Sequence, residues 1–119
     1  MIIREIAEAL DLTVAAGEQG LDREITGGYA ADLLSCVMAG AAAGNVWVTL
    51  QAHPNVVAVA DLLGLAGVII TEDTPVDEAT LSRAEERGIP VLRTRESTYC
   101  VVVRLAQQGI DGNDAARDA

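Results

Sequence analysis

The most distinctive stretch of this chain is Asp22-Arg23-Glu24-Ile25-Thr26-Gly27-Gly28. It brings two opposite charges and a hydroxyl close to a glycine pair. If Gly27-Gly28 forms a tight turn, its open backbone amides and the Thr26 hydroxyl can cradle an anion. The same residues also suit a purely structural purpose. Asp22 can pair with Arg23 or cap a turn, and the glycines can simply permit a bend. Spacing alone leaves both readings open.

Further candidates lie where strands are expected to end. His53, the single histidine, can exchange a proton near neutral pH or make a polar contact, or it can merely order the turn before Pro54. Asn55 and Thr71 are polar groups at comparable positions, and Arg93 with Arg95 can clamp a phosphate or carboxylate or pair with Glu72 or Glu96. The one enzymatic arrangement on offer is His53 with Asp32 or Asp73 as acid and base. No serine or cysteine has a local signature of an activated nucleophile, and no His, Cys, Asp and Glu cluster has metal-ligand spacing. All eight basic residues are arginine. The lack of lysine removes a P-loop and any Schiff-base chemistry. The expectation is a chain with no catalytic set, no metal and no cofactor.

These groups must be positioned by a small α/β domain. Ile2, Ile3, Ile6, Ala9 and Leu10 recur at helical spacing and predict a short first helix. Leu12 to Ala15 suits a strand, and Glu24 to Ala31 a strand or tight turn around the glycines. Asp32 to Ala43 begins as a helix. The pattern then sharpens: strands at Val46–Leu50, Gly67–Thr71 and Ile89–Thr94, each followed by a helix. Asn55, Thr74 and Ser97 are expected to cap those helices, with Gly64, Gly88 and Gly109 closing them. Alternation of this kind implies a three-layer domain with a mostly parallel sheet and right-handed βαβ crossovers. Ligands of such sheets bind beyond the strands' carboxyl ends. The domain is expected over residues 1–110, with a polar, disordered tail at 111–119.

Composition narrows the partners. The net charge is −10 over 119 residues, so a nucleic acid would be repelled. Hydrophobic residues make up 50% of the chain but there is no Phe and one Trp, so Ala, Val, Leu and Ile must fill the core. The most apolar region, Val56 to Thr71, is broken by Asp61, Gly64 and Gly67 and is too short to span a bilayer comfortably. Arg4, Glu5, Glu8 and Asp11 interrupt the start where a secretory signal would be apolar. Cys36 and Cys100 are far apart and outside any CxxC pattern, and are expected as buried free thiols. Together these features predict a cytoplasmic protein. Its apolar, Ala-rich composition without large aromatics also predicts a two-fold homodimer.

The first stretch, with the following Tyr29-Ala30-Ala31-Asp32-Leu33-Leu34-Ser35, resembles the signature of the DRTGG domain family. The likeness continues through Gly44-Asn45-Val46-Trp47-Val48-Thr49, His53-Pro54-Asn55, Leu63 to Thr71 and Gly88-Ile89-Pro90-Val91-Leu92. The resemblance implies a regulatory or accessory module, similar to the amino-terminal domain of HPr kinase/phosphorylase but without that enzyme's catalytic portion. The Thr26-Gly27-Gly28 stretch, the polar strand ends and the missing catalytic set point to a module that binds a small anionic metabolite or nucleotide, a partner protein, or both. The resemblance equally admits a structural subunit or assembly factor, including one beside an iron hydrogenase. By position, the family's named residues fall on Asp22, Arg23, Thr26, Gly27 and Gly28. With His53, Asn55 and Thr71 these form the candidate ligand set.

Overall fold

The computed structural model describes residues 1–113. Its sheet has five strands in the order β1-β5-β4-β3-β2. Four of them, β2 (Gly27–Ala30), β3 (Asn45–Thr49), β4 (Gly67–Ile70) and β5 (Val91–Arg93), are mutually parallel; β1 (Thr13–Ala16) runs antiparallel along β5. Helices α2 (Leu34–Gly40), α3 (Asn55–Leu63) and α4 (Glu78–Arg87) join the parallel strands in turn. Their buried residues Val37, Val57, Ala60 and Ala84 share one core with Trp47, Val68, Ile70 and Val91. The opposite face carries α1 (Ile3–Ala9) and α5 (Thr98–Gln107), packed on Val46, Val48, Ile69 and Leu92. Strand residues thus alternate between two cores, and β3 and β4 are buried at every position. The result is the three-layer, mostly parallel architecture expected.

Short elements hold because their apolar sides are fully buried. Ile3, Ile6 and Leu10 are at most 1% exposed. Each contributes about 1.5–3 kcal/mol by leaving water, which secures a helix too short to persist alone. Ala9, expected on that stripe, is exposed, and Ala7 takes its place. The Glu5 carboxylate accepts the Ile2 amide at 2.9 Å and finishes the helix start. Trp47 is wholly buried and donates its indole N–H to the Ala31 carbonyl at 2.8 Å, so its one polar atom is satisfied.

Several local expectations change. Of the strand or tight turn expected around Gly27-Gly28, the structure has the strand: both residues lie in β2, paired with Asn45 and Val46. A side chain at Gly27 would stand 3.0 Å from the Asp111 carbonyl oxygen, so close approach and not a bend accounts for the residue. Asn55 does not cap α3; Pro54 holds that position, and His53 Nδ1 accepts the Asn55 amide at 3.1 Å. Thr74 does not cap α4 either. Its hydroxyl turns back to the Thr71 carbonyl at 2.8 Å, and the helix begins four residues later behind Asp77. Ser97 does cap α5, accepting the Cys100 amide at 3.2 Å. Both cysteines are free but exposed, because their helices bury the following residues, Val37 and Val101. Asp111 and Gly112, expected in the tail, lie along β2: the Gly28 amide donates to the Asp111 carbonyl at 2.9 Å, and Gly112 bridges Gly28. The rest of that tail, from residue 114, lies outside the described residues.

Candidate functional site

The residues singled out from the sequence fall at opposite ends of the sheet. Asp22, Arg23, Thr26, Gly27 and Gly28 lie at the amino ends of the parallel strands, where β2 begins. His53, Asn55 and Thr71 lie at the carboxyl ends of β3 and β4. The structure does not bring the two groups together.

At the amino end the polar groups are engaged within the chain. Asp22 pairs with Arg4 at 3.1 Å on the surface. Arg23 donates to the Leu65 carbonyl at 3.0 Å. The Thr26 hydroxyl donates to the Ala43 carbonyl at 2.8 Å and accepts from Asn45 Nδ2 at 3.3 Å, while the Thr26 amide bonds the Gly44 carbonyl. Asn45 is fully buried, and its Oδ1 accepts the Ala42 amide and Asn113 Nδ2 at 2.9 and 2.8 Å. This network fastens β2, the loop before β3 and the segment after α5 to one another.

At the carboxyl end the chain fills much of the edge with its own carboxylates. Asp32 accepts the Thr49 hydroxyl and the Leu50 amide, both at 2.9 Å. Glu72 accepts the Thr98 amide at 2.9 Å, at the start of α5. Thr71 is buried and shares a 2.7 Å hydrogen bond with the Thr98 hydroxyl. His53 is exposed and forms no ion pair with Asp32 or Asp73.

The open space lies beyond β5. The loop after β4 leads to α4 on one face, and the loop after β5 leads to α5 on the other, so the chain diverges between adjacent parallel strands. Such a divergence is where open α/β sheets form crevices. The two loops are joined by the Glu72 amide on the Glu96 carbonyl and the Asp73 amide on the Thr94 carbonyl, at 2.9 and 3.1 Å. Beside them is a cleft of about 580 Å³. Arg93 and its cross-strand neighbour Thr13 line it from the sheet, and Arg95 and Glu96 from the following loop. Leu10 and Asp11 close the side below α1, Asp73 the side below β4, and Arg104 reaches in from α5.

Arg104 is firmly held. It pairs with Glu96 and donates to the Ala9 and Leu10 carbonyls at the end of α1, each at 3.2 Å. Arg93 donates to the Thr74 carbonyl at 3.2 Å, and neither it nor Arg95 forms an ion pair among the described residues. Asp11, Glu72 and Asp73 are the non-glycine residues with left-handed backbone, at φ 54°, 61° and 55°. Two of them line the cleft and the third adjoins it. A left-handed residue costs about 1–2 kcal/mol, and such strain gathers at functional sites.

Sequence reasoning flagged Arg93 and Arg95 but missed Asp11 and Arg104. One signal for Arg104 was present, a lone cation inside the apolar run Val101-Val102-Val103-Arg104-Leu105. The expected partners also differ, since Glu96 serves Arg104 and Glu72 serves α5.

Fold and site together define a small three-layer α/β domain with an arginine-lined cleft at the carboxyl edge of its sheet. The chain belongs to the DRTGG domain family, whose model matches residues 5–108. No curated protein matches the chain. Among solved structures, it is similar to the CBS and DRTGG domains of the regulatory region of Clostridium perfringens pyrophosphatase, complexed with the activator diadenosine tetraphosphate. The TM-score is 0.69 at 13% identity, covering 89% of this chain and 46% of that one. The likeness is one of fold, and this chain spans under half the length of that neighbour. Among the described residues no helix is long and apolar enough to cross a membrane.

Proposed function

We propose that this chain is a non-catalytic regulatory module that binds a small anionic metabolite or nucleotide. One observation carries this reading. In a chain of net charge −10, three arginines converge on a single cleft, and two of them form no ion pair among the described residues. Guanidinium groups match phosphate and carboxylate with paired hydrogen bonds. The volume suits a small ligand. Among the sequence candidates, Asp22, Arg23, Thr26, Gly27 and Gly28 hold the fold in this reading, each bonded within the chain. Thr71 positions the start of α5, while His53 and Asn55 remain exposed at the edge for contact with a ligand or partner. The neighbour's regulatory context supports the same assignment. The test is a thermal-shift titration with phosphometabolites and nucleotides. A ligand should raise the melting temperature of the native chain and lose that effect in Arg93→Ala and Arg95→Ala. No response from any compound overturns the proposal.

An apolar surface supports a second role, self-association. Val102, Ala106 and Ile110 line a groove of about 200 Å³ with Ala30 of the edge strand β2 and Val48. On α5 itself Tyr99 is 80% exposed and Val102 41%. A two-fold homodimer would cover this face. Sedimentation at micromolar concentration should give a dimer that Val102→Asp converts to monomer. A native chain that sediments only as monomer overturns it.

A further inference from the structure

We infer that the ligand of the arginine cleft is a phosphorylated polyhydroxy compound of sugar-phosphate size, read through its phosphate and hydroxyls and not through a base. This rests on the regulatory reading above and specifies its ligand class.

The lining mixes its charges in a definite way. Arg93 and Arg95 supply guanidinium groups with donors to spare, while Arg104 is fixed by Glu96 and by two carbonyls of α1. Asp11, Asp73 and Glu96 stand in the same walls. An ionised carboxylate only accepts hydrogen bonds, so Asp11 and Asp73, which form no ion pair among the described residues, favour hydroxyl donors and repel a second anionic group. A ligand charged along its whole length, such as a polyphosphate, meets them unfavourably. One with a single phosphate and several hydroxyls meets both kinds of lining group.

Base recognition has no support here. Selective contact with a nucleobase uses aromatic, apolar or guanidinium planes against the ring. Among the described residues Leu10 is the only large apolar side chain lining the cleft. Arg104 is held by Glu96 and two carbonyls, and Arg93 and Arg95 are taken up by the phosphate in this reading. The chain's three aromatic residues are all elsewhere. Trp47 is buried in the opposite core, Tyr29 donates its hydroxyl to the Cys36 carbonyl, and Tyr99 is exposed on α5.

The experiment is calorimetric titration of the full chain with a hexose monophosphate, a pentose monophosphate, tripolyphosphate and ATP. At least one sugar phosphate is expected to bind at least tenfold more tightly than tripolyphosphate or ATP. Arg95→Ala should weaken it at least tenfold. Asp11→Asn should weaken the sugar phosphate while leaving tripolyphosphate unchanged or tighter; asparagine accepts the left-handed backbone at φ 54°, and an unchanged melting temperature verifies the fold. If ATP exceeds tripolyphosphate tenfold, or neither sugar phosphate exceeds tripolyphosphate, while Arg95→Ala still weakens binding, the ligand class falls and the cleft stands. If no compound releases heat, or both Arg93→Ala and Arg95→Ala leave binding untouched, the regulatory reading of the cleft falls and the ligand class with it.

Discussion

The Glu72 carboxylate accepts the backbone amide of Thr98 at 2.9 Å, so the loop leaving β4 caps the helix that follows β5. The contact joins the two layers across the sheet edge, and Glu72 takes a left-handed backbone, φ 61°, in making it. Helix starts favour negative charge as well as an acceptor. Glu72→Gln keeps the backbone demand but removes the charge, and should lower stability by about 0.5–1 kcal/mol. Urea denaturation measures this, and an unchanged midpoint would count against the capping role.

Asn45 is the polar centre of the opposite edge. Replacing it by alanine removes the acceptor of the Ala42 amide and the partner of Thr26 and Asn113, although only Asn45 of these residues is fully buried. Each lost hydrogen bond is worth about 0.5–1.5 kcal/mol, so with three lost Asn45→Ala should cost about 2–3 kcal/mol. Thr26→Val, which loses the bond to Ala43, should cost about 1 kcal/mol. Equal effects of the two changes would contradict the hierarchy assigned to this network.

Two glycines with the same backbone preference predict very different outcomes. Gly17 and Gly109 have φ of 77° and 85°. A methyl group at Gly17 would overlap the Ile89 carbonyl, whereas nothing lies within 4 Å at Gly109. Gly109→Ala should therefore cost about 1 kcal/mol, the backbone penalty alone. Gly17→Ala should cost about 3 kcal/mol or more, because main chain must move. Chemical denaturation of both variants separates conformation from crowding.

Arg104 fastens α5 to α1 through the Ala9 and Leu10 carbonyls while pairing with Glu96. A lysine keeps the charge but lacks the planar fork that reaches several acceptors. Arg104→Lys should lose about 1–2 kcal/mol and speed hydrogen exchange near the end of α1. Exchange that is unaltered there would argue that α1 is held by its apolar side alone.

Much of this fold is legible in the chain, for local reasons. The runs around Val46–Thr49 and Gly67–Ile70 are apolar without alternation because helices cover both faces of those strands. Gly64 and Gly88 end their helices in the left-handed conformation expected of them, and Ser97 caps α5. What misled was decided at a distance. Gly27-Gly28 reads as either strand or turn until Asn45 and Asp111 supply the neighbours that make it a strand. Thr74 is a local exception: it reads as a cap, but its hydroxyl is taken by the Thr71 carbonyl three residues earlier. Arg104 has the carbonyls of residues 9 and 10 as partners, and no pattern within a single helix reveals them. The arginine cleft was legible only in part for the same reason, since α1, β1, the two loops and α5 meet there solely in three dimensions.

The burial of Trp47 gives the protein its own optical gauge. The indole is the sole tryptophan and lies in the core opposite the cleft's α1 and α5, so its fluorescence should follow global unfolding and change little when a ligand enters beside Arg95. A variant that loses binding can then be sorted in one cuvette: native emission with no uptake marks a damaged cleft, while a red-shifted spectrum marks a collapsed scaffold.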